Sequence, residues 1–420
     1  MRKPLEGVRV VDLTHVVAGP VASFTLGDLG AEVIKVEPPY RAAPAVATPP
    51  VAGAPDRPHN RVPLFNELNR SKLGIALDLS SGPGRDLLLR LVAVSDVVME
   101  NFSSRVLGNL RLEYEDLRAA RPDIILVSMP AFGRSGPYRD RTAHGPGIDA
   151  MSGLSHLTGY GDGRPGKPGN FFCDYNAGLL AALATMAAVR HRRRTGEGQH
   201  VECAMLEGEL QILGDALMDV TMNGRVRQPL GNRHPWMAPH GVYPCAGEDR
   251  WVALACRSDA EFAALCDVIE RPELAHDPRY AALPARYRNQ DALDALIGAW
   301  TRHRDEYEAM DALQRAGVAA GAVLDVGQLH ADPQHVARRF FVPVAHPETG
   351  PAPLPRVAFR FARMSAEPER PAPCFAQHTD YVLRELLGMA DAEVRELEQS
   401  GAVARDPRGS QEEGREVARK

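Results

Sequence analysis

At 420 residues the chain can bury a sizeable interior, either as two or three compact units or as one large domain with an excursion. Charged residues make up 25% of it and the net charge is -5, which is neither the footprint of a nucleic-acid binder nor a polybasic membrane patch. Small molecules and a second copy of the chain are the partners this balance favours.

The opening "MRKPLEGVRVVDLTH" has no apolar stretch long enough for a signal peptide, and no run elsewhere reads as membrane-spanning, so a cytoplasmic location is expected. "GVRVVDLTH" is a short β-branched strand. A helix from Pro20 to Leu29 follows, then a turn at Gly30 and a strand "EVIKVE" stopped by Pro38 and Pro39, which makes a β-α-β unit. Residues 41–62 are rich in Pro and Ala without periodicity and read as a long surface loop, a candidate cover for a ligand. The alternation then resumes with "GIALDL", a helix from "GRDLLLRLVAVS", "DVVMEN", a helix near "YEDLRAARP" and "DIILVSM". Strands alternating with helices imply a mainly parallel sheet covered on both faces. Its ligands are expected at the carboxyl ends of the strands, where "LTHVVAGP", "MENFSSR" and "SMPAFGRSGP" would gather.

"GYGDGRPGKPGN" is glycine-rich but follows a helical segment and contains two prolines, so it reads as a flexible loop rather than a phosphate cradle. "FFCDYNAGLLAALATMAAVRHRRR" opens a long helix with leucines at 179, 180 and 183 and a basic end suited to a helix C-terminus. From 225 to 250 proline-punctuated strands appear ("APHGVYPC", "WVALAC"), and helices such as "DAEFAALCDVIE" and "QDALDALIGAWTRH" then run to 318, a candidate smaller domain. A proline-rich stretch, 342–375, leads to two short helices in "HTDYVLRELLGMADAEVRELEQSGAV" and a charged terminal segment expected to be frayed or disordered. The six cysteines, at 173, 203, 245, 256, 266 and 374, form no C-x-x-C pair and no zinc-finger spacing, so free thiols are expected. No Walker, dinucleotide, H-E-x-x-H or EF-hand pattern occurs, and no metal is expected.

Asp174, between Phe171–Phe172 and the long helix, stands where backbone N–H groups favour a carboxylate. Spacing alone leaves two readings open, a helix cap or a reactive group. His144, in "RTAHGPGIDAMSGL", is a candidate general base among fourteen histidines. Lys35, Arg41, Arg70, Lys72 and Arg105 flank strand ends; gathered on one edge they would suit a ligand carrying several phosphates. His234 and His240 flank "PWMAP" and are too proline-broken for a helical metal pair.

Taken in order, "PLEGVRVVDLTHVVAGPVASFTLGDLGAEVIKVEPP", "LNRSKLGIALDL", "MENF", "AFGRSGPY", "AMSGL", "CDYNAG", "RTGEGQHVE", "LGNRHPWMAPHGVYP" and "HTDYVLRELLG" resemble the class III coenzyme A transferases and the related α-methylacyl-CoA racemases over nearly the whole chain. The resemblance implies an acyl-CoA:carboxylate CoA-transferase whose nucleophile is Asp174, four residues before Gly178. Its acid attacks the acyl-CoA thioester to give a mixed anhydride, and the released thiolate then forms an aspartyl-CoA thioester. It also implies a CoA thioester as substrate with no tightly bound cofactor, a carboxylic acid as acceptor, and an α/β fold with a Rossmann-like large domain and a smaller α+β domain in an interlocked-ring homodimer. Val16, Ala18, Gly19 and Pro20 would approach the CoA thiol; Leu68, Lys72, Asn101 and Phe102 would line the nucleotide and pantetheine path. Phe171, Phe172, Trp236 and Met237 are candidates for the acyl pocket.

Several positions depart from the family pattern. Val17 replaces the glutamine of formyl-CoA transferases, which favours a larger or more apolar acyl group. Ser103 replaces the arginine after "ENF", Asn109 and Thr142 replace further basic contacts, and Arg105 is placed to compensate. His144 matches the histidine of the racemase "GHD" motif, but the sequence reads "AHG"; a racemase using His144 and Asp174 as an acid/base pair is the alternative. The expected division is a large CoA-binding α/β domain over 1–200, a linker helix over 201–224, a small domain over 225–318, a return to the large domain over 319–403 and a disordered tail over 404–420.

Overall fold

The computed structural model describes residues 3–40, 57–161 and 163–408. Arg41 and most of the candidate cover at 41–62 lie outside the described residues, as does the terminal segment from 409. The chain forms two compact units, one of Met1–Leu154, Lys167–Asn223 and Phe340–Lys420, the other of Ser155–Gly166 and Gly224–Arg339.

The first part of the chain contributes β1 (Arg9–Asp12), α1 (Ala18–Asp28), β2 (Glu32–Glu37), α2 (Pro63–Leu68), β3 (Lys72–Leu77), α3 (Gly82–Ala93), β4 (Val97–Glu100), α4 (Val106–Leu110), α5 (Tyr114–Ala120) and β5 (Ile125–Ser128). Next come α6 (Gly145–Ser152), the single turn α7 (Leu154–Leu157), α8 (Phe172–Thr195), β6 (His200–Glu202), α9 (Met205–Leu210) and α10 (Gly214–Asn223). The smaller unit carries β7 (His240–Pro244), β8 (Trp251–Ala255), α11 (Asp259–Val268), α12 (Leu283–Arg288), α13 (Gln290–Thr301), α14 (Glu306–Arg315), β9 (Ala319–Val323) and α15 (Pro333–Ala337). A hairpin of β10 (Phe341–His346) and β11 (Gly350–Pro355), a π-helical turn at Tyr381–Leu386, α16 (Asp391–Gln399) and β12 (Val403–Ala404) complete the larger unit.

The central sheet has seven strands in the order β12-β3-β2-β1-β4-β5-β6, parallel throughout except for β12. Its strands are nearly continuous apolar runs because helices cover both faces. Val10, Val33, Val97 and Ile125 pack into a core with α1 and α8, whereas their neighbours Val11, Ile34, Val98 and Leu126 point to the opposite core with α3 and α5. Small residues on α8, among them Ala177, Ala181 and Ala188, face the first core and let that helix lie close to α1. Leu179 and Leu183 are instead exposed, so the leucines that mark the helix in the sequence are not its core face.

Helix α8 also corrects the reading that no run is long enough to cross a membrane. Its 24 residues reach a mean hydropathy of 1.3 in an 18-residue window, half of which is buried inside the protein. Within the larger unit it is a core helix.

In the smaller unit, β7, β8 and β9 form an antiparallel sheet against which α11, α13 and α14 pack. Arg286 is fully buried there and donates to Ala238 O, Tyr280 O and the Asp259 carboxylate. Two boundaries differ from the sequence reading. Strand β9 pairs with β8, which keeps residues 319–339 with the smaller unit, and residues 155–166 belong to that unit as well. Helices α9 and α10 are part of the larger unit rather than a separate linker.

Candidate active site

The strand order turns back between β1 and β4, which puts the loops after these two strands side by side at the crevice where open α/β sheets hold their ligands. The loops are tied by two reciprocal bonds: His15 N donates to Asn101 Oδ1 at 2.7 Å, and Asn101 Nδ2 donates to His15 O at 2.8 Å. The Phe102 ring lies 5.1 Å from the His15 imidazole. Asn101, expected on the CoA path, therefore has its amide engaged in joining the loops. Val16 follows in the left-handed region with φ 63° and is exposed, an uncommon conformation for a β-branched residue. Gly19 lies so close to Thr14 that a Cβ there would overlap its side chain.

Beneath this crevice sits a buried ion cluster that takes up Lys72, expected on the CoA path, together with Lys35 and Arg70, expected as solvated charges or as part of a basic edge. Lys72 Nζ is 2.9 Å from Asp12 Oδ2 and donates to Asn69 Oδ1 at 2.9 Å, with its side chain fully enclosed. Lys35 Nζ donates to Thr14 O at 2.7 Å and stands 4.0 Å from Asp12. Burial alone would raise the Asp12 carboxyl, but the two ammonium groups and Thr14 hold it well below the usual range. Burial also pushes Lys72 down to about 8 against the attraction of Asp12. Arg70 is spent in the same way, on Asp28 at 3.1 Å and Glu67 at 3.0 Å. The sequence could not reveal this, since Asp12 and Asp28 lie 23 to 60 positions from the bases they hold and a lone basic residue reads as solvated. Arg105 remains exposed at the start of α4.

Asp174 is not the cap of α8. The helix begins at Phe172, preceded by Phe171 in the left-handed region, and Asp174 is its third residue with a carboxyl that is 7% exposed. Three helix N-termini meet at this carboxyl. Its own first turn and the Ala18 N–H at the start of α1 both favour its anionic form. At the start of α6, Gly145 lies against Oδ2 so closely that a Cβ would overlap it. One turn further along α8, Gly178 faces α1, where a Cβ would stand 2.6 Å from Ala18 O and 2.7 Å from Val21 Cβ. Burial first, and Asp149 second, nevertheless raise the Asp174 carboxyl above its ordinary value, opposed by His144 and the two backbone N–H groups.

His144, exposed at the N-terminus of α6, is near enough for its charge to act on Asp174. Ala18, Gly19 and Pro20 form the buried first turn of α1 beside it, and Phe172 is exposed in the first turn of α8. Val17 and Leu68, expected at the substrate and on the CoA path, are both wholly buried with Val21 and Phe24 in an apolar cluster. Trp236 and Met237 stand in the smaller unit on a turn bridged between His234 and Met237, with Trp236 exposed.

The structure adds three groups that sequence reasoning missed. Asp149 on α6, Cys173 on α8 and Glu209 on α9 are buried, with ligand-capable atoms within 4.8 Å of one another. Their spacing of 24 and 36 positions carries no signal in the sequence.

The model for CoA-transferase family III matches residues 5–379. This chain belongs to that family. The transferase is 33% identical over 94% of its length to a succinyl-CoA–D-citramalate CoA-transferase of Chloroflexus aurantiacus, covering 97% of it. It is 34% identical over 92% of its length to a succinate–glutarate CoA-transferase of Agrobacterium fabrum, covering 96% of that protein. A crystal structure of a CAIB/BAIF family protein from Brucella suis superposes with a TM-score of 0.84 at 34% identity, over 92% of this chain and all of that one.

Proposed function

We propose that this transferase moves CoA from an acyl-CoA to a carboxylic acid through covalent intermediates on Asp174. The observation that supports this reading is the convergence of α1, α6 and α8 on one enclosed carboxyl. A carboxylate needs no general base to act as a nucleophile, and burial removes the water that would hydrolyse an anhydride. An Asp174 oxygen attacks the thioester carbonyl, and CoA leaves as a thiolate. The thiolate then attacks the aspartyl carbonyl and expels the acyl group as its free acid, leaving aspartyl-CoA for the acceptor carboxylate to reverse. The Ala18 N–H at the start of α1, which faces the Asp174 carboxyl, would serve as a donor to the oxygen on which charge develops.

The names of both curated relatives contain a succinyl or succinate group, so succinyl-CoA is the first donor to test. The enzyme acts in the cytoplasm as a homodimer. Exposed apolar residues on α8 and α10, namely Leu179, Leu183, Met218, Val220 and Met222, support burial by a second copy. Light scattering that returned a monomer would remove the dimer.

Mass spectrometry of the Asp174 peptide after incubation with acyl-CoAs and hydroxylamine tests the nucleophile. A hydroxamate on Asp174 is expected. His144, facing Asp174, favours a second reading as a racemase. Deuterium uptake at the α-carbon of a substrate, with no hydroxamate, would replace the transfer mechanism by that one.

A further inference from the structure

Helices α6, α8 and α9 enclose a group of side chains next to Asp174. Asp149 and Ser152 come from α6, Cys173 from α8 and Glu209 from α9, and all are buried. Oxygens of the Asp149 and Glu209 carboxyls and the Cys173 sulfur lie within 4.8 Å of one another, close enough for the two carboxyls to act on each other and on the thiol. Neither Glu209 oxygen nor Asp149 Oδ1 has a hydrogen-bond partner of good geometry, and the groups that favour the Glu209 anion are only the weak Cys173 thiol and the Ser152 hydroxyl. Among the described residues no lysine or arginine forms an ion pair with either carboxyl. Two carboxylates in mutual contact inside a protein, without a cation, do not both ionise; they hold one proton between them. That proton supplies the hydrogen bond the orphaned oxygens lack.

We propose that Asp149 and Glu209 are a proton-sharing carboxyl pair with a single buried negative charge, and that this charge favours conversion of Asp174 from a carboxylate into its neutral acylated form. The proposal rests on Asp174 being the acylated residue. In the net half-reaction, Asp174 carboxylate and acyl-CoA give aspartyl-CoA and a free carboxylate, so one negative charge leaves Asp174 with the departing acid. A fixed charge beside Asp174 repels the free carboxylate and leaves the neutral thioester untouched, which shifts that equilibrium toward the covalent enzyme. Asp149 already acts in this sense, as the largest charge raising Asp174, against His144 and the N–H groups of Ala18 and Asp174. Burial, with Asp149 next, pushes Glu209 up to about 7, while Cys173 and Ser152 oppose this, the direction that a carboxyl sharing a proton with its neighbour requires. Asp149 and Glu209 are both buried and act through Asp174, as positioning residues.

The charge logic sets the test. Asp149→Asn and Glu209→Gln each leave one ionisable carboxyl, so each single variant keeps one negative charge, while the double variant has none. Full-length proteins are equilibrated with succinyl-CoA and succinate at a fixed ratio, and the fraction carrying CoA on Asp174 is read by intact mass and peptide mapping. The ratio of acylated to free enzyme is expected to fall at least tenfold in the double variant and to stay at least fivefold above the double in each single variant. Infrared difference spectra of the wild type are expected to show a protonated carboxyl at neutral pH that Glu209→Gln removes, a readout that does not need the double variant to fold. An adduct absent from the wild type overturns the nucleophile and this proposal together. An adduct equally abundant in wild type and double variant overturns this proposal alone. So does a stoichiometric metal ion in the purified wild type that either single variant loses, since a cation would then neutralise the pair.

Discussion

Asp174 Oδ2 occupies the space in which a Cβ on Gly145 would stand. The glycine after His144 is thus a condition for the carboxyl to rest between three helix starts. It accounts for the "AHG" in this chain: an aspartate after the histidine, as in the racemase motif, has no room while Asp174 keeps this position. Gly145→Ala is expected to displace the carboxyl and lower kcat by about 10²-fold, the usual cost of a misplacement near 1 Å. Steady-state kinetics with succinyl-CoA check this, with circular dichroism to show that the fold persists. Unchanged kcat would mean that Asp174 moves freely or does not react.

Removing the Asp174 charge should separate activity from stability. Its folded-state carboxyl is raised, so the ionised group lowers stability as pH rises through the folded value. Asp174→Asn is therefore expected to abolish turnover by about 10³-fold or more while raising Tm at neutral pH by about 1–3 °C. Differential scanning calorimetry provides the second number. A lower Tm would show that the N–H groups around Asp174 outweigh its burial.

Glu209 makes a pH-dependent contribution of the same sign. Its carboxyl is raised from 4.5 to about 7, so the stability it adds is complete below the unfolded value and is lost as pH rises through about 7. The wild-type Tm should fall more steeply than that of Glu209→Gln between about pH 5 and 7. Parallel curves for the two proteins would mean that Glu209 is ionised throughout.

Lys72 and Asp12 predict a structural phenotype where the sequence suggests a binding one. Lys72→Met leaves Asp12 buried with the more distant Lys35 as its remaining cation, beside the Thr14 and Ser23 donors, a loss of about 3 kcal/mol. Urea unfolding should show this, while the KM for acyl-CoA of the folded fraction stays near that of the wild type. A selective rise in KM without loss of stability would return Lys72 to the phosphate path.

The parallel sheet was legible because its strands are short apolar runs alternating with helices, and every strand from β1 to β5 overlaps a stretch read as one, although β3 begins two residues before "GIALDL". The smaller unit was legible through its proline punctuation, but its end was not: "AAGAV" carries no β-branched run beyond one valine and pairs only because β8 offers an edge. Asp174 emerged through the family resemblance, since a first-turn aspartate has no distinguishing local pattern. The meeting of residues 18, 145 and 174 is purely tertiary, and so is the pairing of Asp149 with Glu209. Lys35, Lys72 and Arg70 escaped for the same reason, since Asp12 and Asp28 come from the first β-α unit, 23 or more positions away.

The last strand of the central sheet is also a statement about synthesis. β12 closes the open side of β3 with Val403 and Ala404, after the whole smaller unit has been made. A nascent chain emerging from the ribosome thus carries an unfinished β3 flank while some three hundred further residues are translated, and that flank can pair with another chain throughout this interval. Crowded polysomes would be the place where this protein is most prone to aggregate.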